Sequence, residues 1–485
     1  MTRIMGAATR YLVATAVIAL LAAVLINLRD EEISPQARAM TGFAPPAVAD
    51  ESNAYVALLG LSAPPGIEPL AEGLQLVADR DEATTGDPFA RERIAHDAPD
   101  PDASADDRIA VQGDRDASCD IFNEPCLPFA KARAGAVRTL LADNALLTER
   151  YLRAQKLPAF ASIAIADKDR ANAERSNLEQ IHALLLTNAA LSAQQRNATD
   201  ACDFLLADGS FWRRVLSSGG TALADKLLAF RALSEDVRLG SEMIAAAAFD
   251  SDACAPSFRT LLIPLTGDER SLANAFRIAF RPAVHMLASW PDPALSVEPE
   301  SWPDRYLKET PVYDLFYRRN ASINRCARLF AALEALAAAP APRFAAARDT
   351  FLGETSDLSS PGPRWIYNPL GNLLLGRHLT FYVDYVAHAH GVAAYIALVR
   401  AQLELRLAGV PPKQVPGLLE HGGPDFKNPF DGRPFSWNPD RRTLSFDALD
   451  RRWRRWGATV PITVPEPAAA APRAVPAFAT MTLRR

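Results

Sequence analysis

Apolar residues recur every three to four positions through most of the segment 127–339, which is the spacing of one buried face of an α-helix. One such stripe consists of Leu223, Leu227, Phe230, Val237 and Ile244. A second consists of Ile323, Cys326, Phe330, Leu333 and Ala337. Gly219-Gly220 separates two of the predicted helices, and Pro340 ends the second stripe. The pattern therefore predicts a helical domain built from helical hairpins.

The longest predicted helix covers residues 377–407. Its apolar positions keep a seven-residue spacing over three heptads, from Tyr382 and Tyr385 to Val399 and Leu403. This spacing fits a helix packed in the domain core, and it also fits an intermolecular coiled coil.

The helical pattern of apolar residues ends after Gly409, where several prolines follow. Phe435-Ser436-Trp437 and Thr443 to Phe446 read as two short strands, and Asp431-Gly432 is a turn signal before them. We expect a small β-hairpin in which the rings of Phe430, Phe435 and Trp437 pack against the helical domain. Gly432 is expected to adopt a positive φ, which residues with a β-carbon resist.

The N-terminus carries the clearest targeting signal. Residues 11–28 contain no charge, and as a helix these 18 residues rise about 27 Å, close to the ~30 Å hydrocarbon core of a bilayer. Arg3 and Arg10 precede the run and acidic residues follow it, which predicts a cytoplasmic N-terminus and a periplasmic main domain. A signal peptide cleaved after Ala39 is the alternative.

These patterns predict a mainly α fold: an irregular helical domain with a small C-terminal β-hairpin, plus one N-terminal transmembrane helix. The predicted divisions are a cytoplasmic N-terminus (1–10), a transmembrane signal-anchor (11–28), a stalk (29–52), short membrane-proximal elements (53–85), an acidic flexible linker (86–118), the helical domain (119–408), a Pro-rich segment with the hairpin (409–459) and a disordered Ala/Pro-rich tail (460–485).

Composition narrows the function classes. The chain has 485 residues, 49% of them hydrophobic, and a net charge of −5. This is enough apolar material for a sizeable core, and the charge argues against a globally basic nucleic-acid binder. No GxxxxGK[ST] or GxGxxG motif occurs, so we expect neither nucleic acid nor nucleotide as a partner.

Five cysteines fit an oxidising compartment. Cys119 and Cys126 lie close in sequence around a proline-containing turn, which predicts a disulfide between them. Cys202 and Cys254 are a possible second pair, but their pairing with Cys326 is open at the sequence level.

No catalytic, cofactor-binding or metal-binding residue can be assigned from motifs. HExxH, GxSxG and SxxK are all absent. His388 and His390 lie two positions apart on one helix and therefore point to opposite sides of it. The adjacent pairs Glu235-Asp236 and Asp268-Glu269 are expected to be solvated.

The segment NPFDGRPFSW, residues 428–437, resembles a tail of uncharacterised proteobacterial membrane-anchored proteins. It is also similar to the turn of type II secretion pseudopilins, although the anchor lacks their Gly-Phe processing site. The likeness covers about 40 of the 485 residues and implies no known activity.

The function that we expect is an inner-membrane-anchored periplasmic scaffold or partner-binding protein, with the inner membrane and an envelope protein as partners. A periplasmic enzyme acting on envelope material through carboxylates is the first alternative. A helical chaperone-like module for exported proteins is the second. A deep cleft with convergent polar groups would favour the enzyme, and an exposed apolar groove would favour the scaffold.

Overall fold

The computed structural model describes residues 13–84, 108–289, 316–359, 366–378, 380–449 and 458–462, together with Trp453 and apart from short gaps at 16, 19–20, 114, 165–167, 196 and 247–248. Its helices are α1 (Pro35–Thr41), α2 (Ala54–Leu59), α3 (Pro69–Thr84), α4 (Cys126–Ala132), α5 (Ala134–Asp143), α6 (Ala145–Ala154), α7 (Lys168–Gln194), α8 (Ala198–Ser217), α9 (Leu223–Ala245), α10 (Ser251–Leu261), α11 (Gly267–Arg270), α12 (Ala273–Ser289), α13 (Arg319–Ala338), α14 (Ala341–Ser359), α15 (Pro369–His378), α16 (Thr380–Leu407) and α17 (Val415–His421). Its strands are β1 (Ser436–Asn438), β2 (Thr443–Ser445) and β3 (Thr459–Pro461). The prediction of a mainly helical fold is confirmed.

Helix α9 lies at the centre of the domain and is buried on nearly all sides. It contacts α4, α7, α8, α12, α16 and β3. Because neighbours cover most of the helix, its buried residues include polar groups such as Asp225, Ser234 and Asp236 as well as the apolar stripe. The amphipathic pattern identified the helix, but it did not show that the polar face is also covered.

Helix α16 is the second central element, so residues 380–407 form a core helix. The side chain of Gln402 joins α16 to α9 and to β3. Its amide donates to the carbonyl of Ser241 on α9 at 3.1 Å and to the carbonyl of Pro461 on β3 at 2.8 Å. The hydroxyl of Ser241 donates back to the Gln402 amide oxygen at 2.7 Å. One amide therefore satisfies backbone groups of α9 and β3 in a buried position.

The C-terminal sheet has three antiparallel strands in the order β1-β2-β3, so the predicted hairpin is extended by one strand. Trp437 pairs with Leu444, and Leu444 pairs with Val460. Val460 and Ile462 are buried. Residues 460–462, which the sequence analysis assigned to a disordered tail, are therefore ordered, because Val460 completes the apolar side of the sheet. Residues 463–485 lie outside the described residues.

The hairpin residues take the positions that the turn chemistry requires. Phe430 and Phe435 are buried, and Trp437 is half-buried against the core. Gly432 has a φ of 69°, and its N–H donates to the Asn428 carbonyl at 2.8 Å. The Asp431 carboxylate accepts from the Arg433 N–H at 2.9 Å, which closes the turn.

The described part of the N-terminal hydrophobic segment is helical and presents apolar side chains to the surroundings. These exposed residues are Val13, Val17, Ile18, Leu21, Leu25, Ile26 and Leu28. Within the described ranges, no helix combines the length and the apolarity needed to span a bilayer. The predicted transmembrane helix thus has no support from this part of the chain, and residues 11, 12, 16, 19 and 20 of the segment fall outside it.

Asn27, at the end of this segment, is fully buried. Its side chain donates to the Ile366 carbonyl at 2.5 Å and accepts from the Asn368 N–H at 2.7 Å. Asp30 follows and accepts from the N–H groups of Asn320 at 2.8 Å and Ala321 at 3.1 Å. Asp30 therefore caps the N-terminus of α13 from 290 residues away.

The predicted stalk and the end of the predicted linker both contact the domain. Helix α1 packs on α12 and α13, with Ala37 and Met40 buried. The N–H of Ile109 donates to the Ser62 carbonyl at 3.0 Å, and the N–H of Gln112 donates to the Asn144 side chain at 2.8 Å. Residues 85–107 of the linker region lie outside the described residues.

The contact between α16 and Trp453 gives a test of the fold. A β-carbon added at Gly391 would overlap the Trp453 ring. We expect Gly391→Ala to destabilise the protein by about 1–3 kcal/mol, because overpacking outweighs the gain of about 1 kcal/mol in helix propensity. Urea unfolding measures the effect.

Gly353→Ala on α14 is the matched control, since no atom lies within 4 Å of the added carbon. It should stabilise the protein by up to about 1 kcal/mol. Equal effects of the two substitutions would contradict the packing of Trp453 on α16.

Candidate functional site

Three helices bring a group of ionisable side chains together in the centre of the domain. His182 comes from α7, Asp208 from α8, and Glu235 and Asp236 from α9. Asp208 and Asp236 have no exposed surface, and His182 is 3% exposed. We call these four residues the His182 cluster. Burial of this much potential charge is costly unless each group is compensated.

Both ring nitrogens of His182 face carboxylates. Nδ1 lies 3.0 Å from Oε2 of Glu235, and Nε2 lies 3.0 Å from Oδ2 of Asp208 and 3.5 Å from Oδ1 of Asp236. Glu235 is in turn held by the guanidinium of Arg231 at 2.9 Å. The chain of contacts therefore runs from an arginine at the surface to two fully buried aspartates.

Asp208 is well supplied with hydrogen-bond donors. The Tyr151 hydroxyl donates to its Oδ1 at 2.7 Å, and the indole N–H of Trp212 donates to its Oδ2 at 2.8 Å. The Gln155 amide also donates to Oδ1. Burial acts to raise the pKa of Asp208, but His182 and these hydrogen bonds hold it below its ordinary value. These contacts therefore favour the ionised form of Asp208.

Asp236 differs from its neighbour. Both of its oxygens are buried, and neither accepts a hydrogen bond from any residue in the described ranges. Burial, and then the charge of Asp208, raise the pKa of Asp236 well above its ordinary value. Burial would lower the pKa of His182, but Asp208 and the other two carboxylates raise it well above its usual value. The pKa values of the two aspartates are therefore shifted in opposite directions, although both face the same imidazole.

A cavity of about 360 Å³ lies against the cluster and shares His182 and Glu235 with it; Trp212, which donates to Asp208, also lines the cavity. Five carboxylates and two guanidinium groups line this cavity: Asp116, Asp120, Glu124, Glu179, Glu235, Arg133 and Arg231. Apolar walls come from Phe129, Leu178 and Trp212 among others. We call this space the acidic cavity, because its carboxylates outnumber its guanidinium groups.

The predicted disulfide contributes to the wall of the acidic cavity through Cys119. Cys119 and Cys126 are paired with a Cα–Cα distance of 5.6 Å, and Cys202 and Cys254 are paired at 5.5 Å. Cys326 is free and buried. The first bridge closes the loop that carries Asp120 and Glu124, and it therefore fixes one side of the cavity.

The other residues singled out from the sequence lie elsewhere. None of Phe430, Asp431, Gly432, Phe435 and Trp437 lines the acidic cavity. His388 and His390 are buried and contact different rings, Phe230 and Trp453 for the first and Phe344 and Phe430 for the second. They are core histidines on opposite sides of α16.

The expectation that Glu235-Asp236 is solvated is wrong, because α7 and α8 cover this face of α9. Glu269 is also buried, where Arg213 pairs with it at 2.8 Å, while Asp268 is exposed. His182 and Asp208 were missed altogether. The usable signal was a polar residue inside an apolar stripe: His182 lies between Leu178 and Leu185, and Asp208 follows Leu205 by three positions.

Comparison with protein-family models, with curated proteins and with solved structures finds no match. The resemblance of residues 428–437 to membrane-anchored proteins therefore stays a prediction, and function must be argued from the site.

The hydrogen bond from Tyr151 to Asp208 gives a test of the cluster. Tyr151→Phe removes one donor from a buried carboxylate, so we expect a loss of about 1.5–3 kcal/mol in the free energy of unfolding. Tyr367→Phe is the control, because its hydroxyl makes a long 3.3 Å bond to the Arg29 carbonyl near the surface. It should change stability by no more than about 0.5 kcal/mol. Equal losses in urea unfolding would contradict the arrangement around Asp208.

Proposed function

We propose that the chain is a membrane-tethered envelope protein whose helical domain binds a small organic cation in the acidic cavity. The observation that carries this proposal is the lining of the cavity, where five carboxylates face two guanidinium groups above apolar walls. Such a space favours a ligand with a positive group at one end and an apolar body at the other. The proposal thus makes the expected partner-binding role more specific: the partner is a small molecule.

The charges around the cavity support a cation over an anion. Arg231 is already engaged by Glu235 at 2.9 Å and Glu179 at 3.4 Å. Arg133 donates to the Asp116 carbonyl and lies over the Phe129 ring, 4.7 Å from its centroid. Both guanidinium groups thus have partners on the protein, and Asp120 and Glu124 are exposed on the loop that the Cys119–Cys126 disulfide closes. A cation would find exposed carboxylates on this loop, whereas an anion would have to compete with the existing partners of both arginines.

The test uses a pair of ligands of similar shape and opposite charge. Benzamidine is the cationic probe and benzoate is the anionic control, with binding measured by calorimetry on the full chain. We expect Asp120→Asn combined with Glu179→Gln to weaken benzamidine binding by about 5- to 30-fold, because loss of two partly exposed charge contacts costs about 1–2 kcal/mol.

Glu68→Gln combined with Glu149→Gln is the matched control, because these carboxylates pair with Arg153 away from the cavity. It should leave the affinity unchanged. Tighter binding of benzoate than of benzamidine, or no binding of benzamidine at millimolar concentration, would contradict the proposal.

An enzyme acting on envelope material is the second candidate. It is favoured by Glu235, which joins the cavity to the buried His182 at 3.0 Å and could pass a proton between them. The ligand experiments distinguish the two functions. A binding protein releases its ligand chemically unchanged, whereas an enzyme converts it to a product, and the Glu235→Gln protein should not form that product.

Attachment to the inner membrane, with the main domain in the periplasm, is the second part of the proposal. It is supported by the exposed apolar side chains between Val13 and Leu28. Three further apolar residues are exposed nearby in the sequence of the segment that binds Asn27: Ile366, whose carbonyl accepts from Asn27, Leu373 on α15 and Phe381 on α16. Exposed apolar surface of this extent usually marks contact with a membrane or a protein. Two disulfide pairs fit an oxidising compartment.

Membrane fractionation of the full chain tests this attachment. The chain should stay with the inner membrane after an alkaline wash, and Ile18→Arg combined with Leu21→Arg should release it, because each arginine costs about 2.5–3.5 kcal/mol near the bilayer centre. Ile263→Arg, at an exposed position of the domain, should have no effect. Recovery of the unaltered chain in the soluble fraction would contradict the attachment.

A further inference from the structure

We propose that His182 Nε2, Asp208 and Asp236 form a binding site for one divalent transition-metal ion, such as Zn²⁺ or Mn²⁺, behind the acidic cavity. This site adjoins the organic-cation site, because His182 also lines the acidic cavity, but neither proposal depends on the other.

The first argument is the lack of hydrogen-bond donors to Asp236, whose nearest cationic group is the imidazole of His182 at 3.5 Å. This carboxylate has no exposed surface, and neither oxygen receives a hydrogen bond within the described part of the chain. Its neighbour Asp208 receives three. A buried carboxylate without donors is rare, because the lost solvation is not replaced. A bound metal ion would replace this lost solvation. Asp236 is also one of three side chains whose ligand atoms all lie within 4.8 Å of one another.

The second argument is the distances between the donor atoms. Nε2 of His182 lies 3.0 Å from Asp208 and 3.5 Å from Asp236, yet Nε2 makes no hydrogen bond of acceptable geometry. Bonds of about 2.1 Å to a common ion, at tetrahedral or octahedral angles, would place adjacent donors about 3.0–3.4 Å apart. The spacing therefore suits atoms that share an ion.

The third argument is the environment of each ligand. A metal-bound histidine nearly always donates its other ring N–H to a carboxylate, and Nδ1 of His182 lies 3.0 Å from Glu235. Ligating carboxylates are likewise held by outer donors, as Tyr151 and Trp212 hold Asp208. With a metal bound, the Nδ1 proton would go to Glu235 and the lone pair of Nε2 would point to the ion between Asp208 and Asp236.

The fourth argument is charge balance. Of the cluster carboxylates, Arg231 pairs with Glu235 alone, so the charges of Asp208 and Asp236 are left without a cationic partner when the imidazole is neutral. A divalent ion neutralises them with every side chain in its ordinary ionisation state. One nitrogen and two carboxylate ligands suit Zn²⁺, Mn²⁺ or Fe²⁺ better than Ca²⁺ or Mg²⁺, which prefer oxygen alone.

The test starts from the full chain, purified and treated with a chelator. Titration with Zn²⁺ alone, and separately with Mn²⁺ alone, should give one bound ion per chain by elemental analysis and a rise in melting temperature for at least one of the two metals. Asp236→Asn should abolish stoichiometric binding. Asp225→Asn is the matched control: it is a buried aspartate on the same helix, held by Ser162 and Arg175 instead of the cluster. It should still bind one ion.

A second variant covers the case in which Asp236→Asn does not fold. Glu235→Gln alters only the outer partner of His182 and should weaken metal binding by about 10- to 100-fold. Chain that takes up no stoichiometric Zn²⁺ or Mn²⁺ would overturn the proposal. So would equal binding by the Asp236→Asn and Asp225→Asn proteins. In that case the cluster would be a metal-free network in which Asp236 is a neutral acid, visible as a carboxylic C=O stretch in the infrared spectrum that Asp236→Asn removes.

Discussion

The compensation of charge around His182 is the constraint on which the central packing depends. Helices α7, α8 and α9 meet at this point, and each contributes a group that cannot be buried alone. An isolated buried carboxylate is strongly destabilising, whereas one that is paired and hydrogen-bonded is tolerated. The three helices therefore have little freedom to slide or rotate, because a shift of one turn would separate Asp208 from Tyr151 or Glu235 from His182.

The same contacts tie the buried cluster to the surface. Arg231 holds Glu235, Glu235 contacts His182, and His182 contacts both aspartates. Glu235 also lines the acidic cavity, whose wall includes Cys119 of the Cys119–Cys126 bridge. A ligand that displaced Arg231 from Glu235 would change the electrostatic environment of a histidine that has almost no exposed surface. Binding in the cavity and the state of the cluster are thus physically connected.

Much of the fold was predictable because periodicity and turn residues act locally. The stripe from Leu223 to Ile244 identified α9, Gly219-Gly220 identified its start, and Asp431-Gly432 identified the turn before the sheet. Strand β3 was not predicted, because its three residues lie in an Ala/Pro-rich region and become ordered only by pairing with Leu444. The disulfide between Cys119 and Cys126 could be predicted from their short spacing and the expected oxidising compartment. That Cys326 is unpaired and buried could be seen only in the tertiary structure.

The site was much less predictable, because it is assembled from four residues on three helices. In sequence, Glu235-Asp236 is an ordinary acidic pair on a helix, and only the coverage of α9 by α7 and α8 makes it buried. His182 and Asp208 interrupt apolar stripes, and this is the one local signal that they carry. No spacing rule connects residues 182, 208 and 236, since their proximity depends on how the helices pack.

The docking of Asn27 bears on the geometry of the proposed membrane attachment. Because Asn27 is buried and hydrogen-bonded to Ile366 and Asn368, the apolar run that the proposed anchor would place in lipid ends at residue 26. A helix over the 16 residues 11–26 would rise only about 24 Å, less than the ~30 Å hydrocarbon thickness. Under the proposed attachment, such hydrophobic mismatch would leave no slack between anchor and domain. The domain would then be held against the headgroups, and the lipid around the anchor would be thinned.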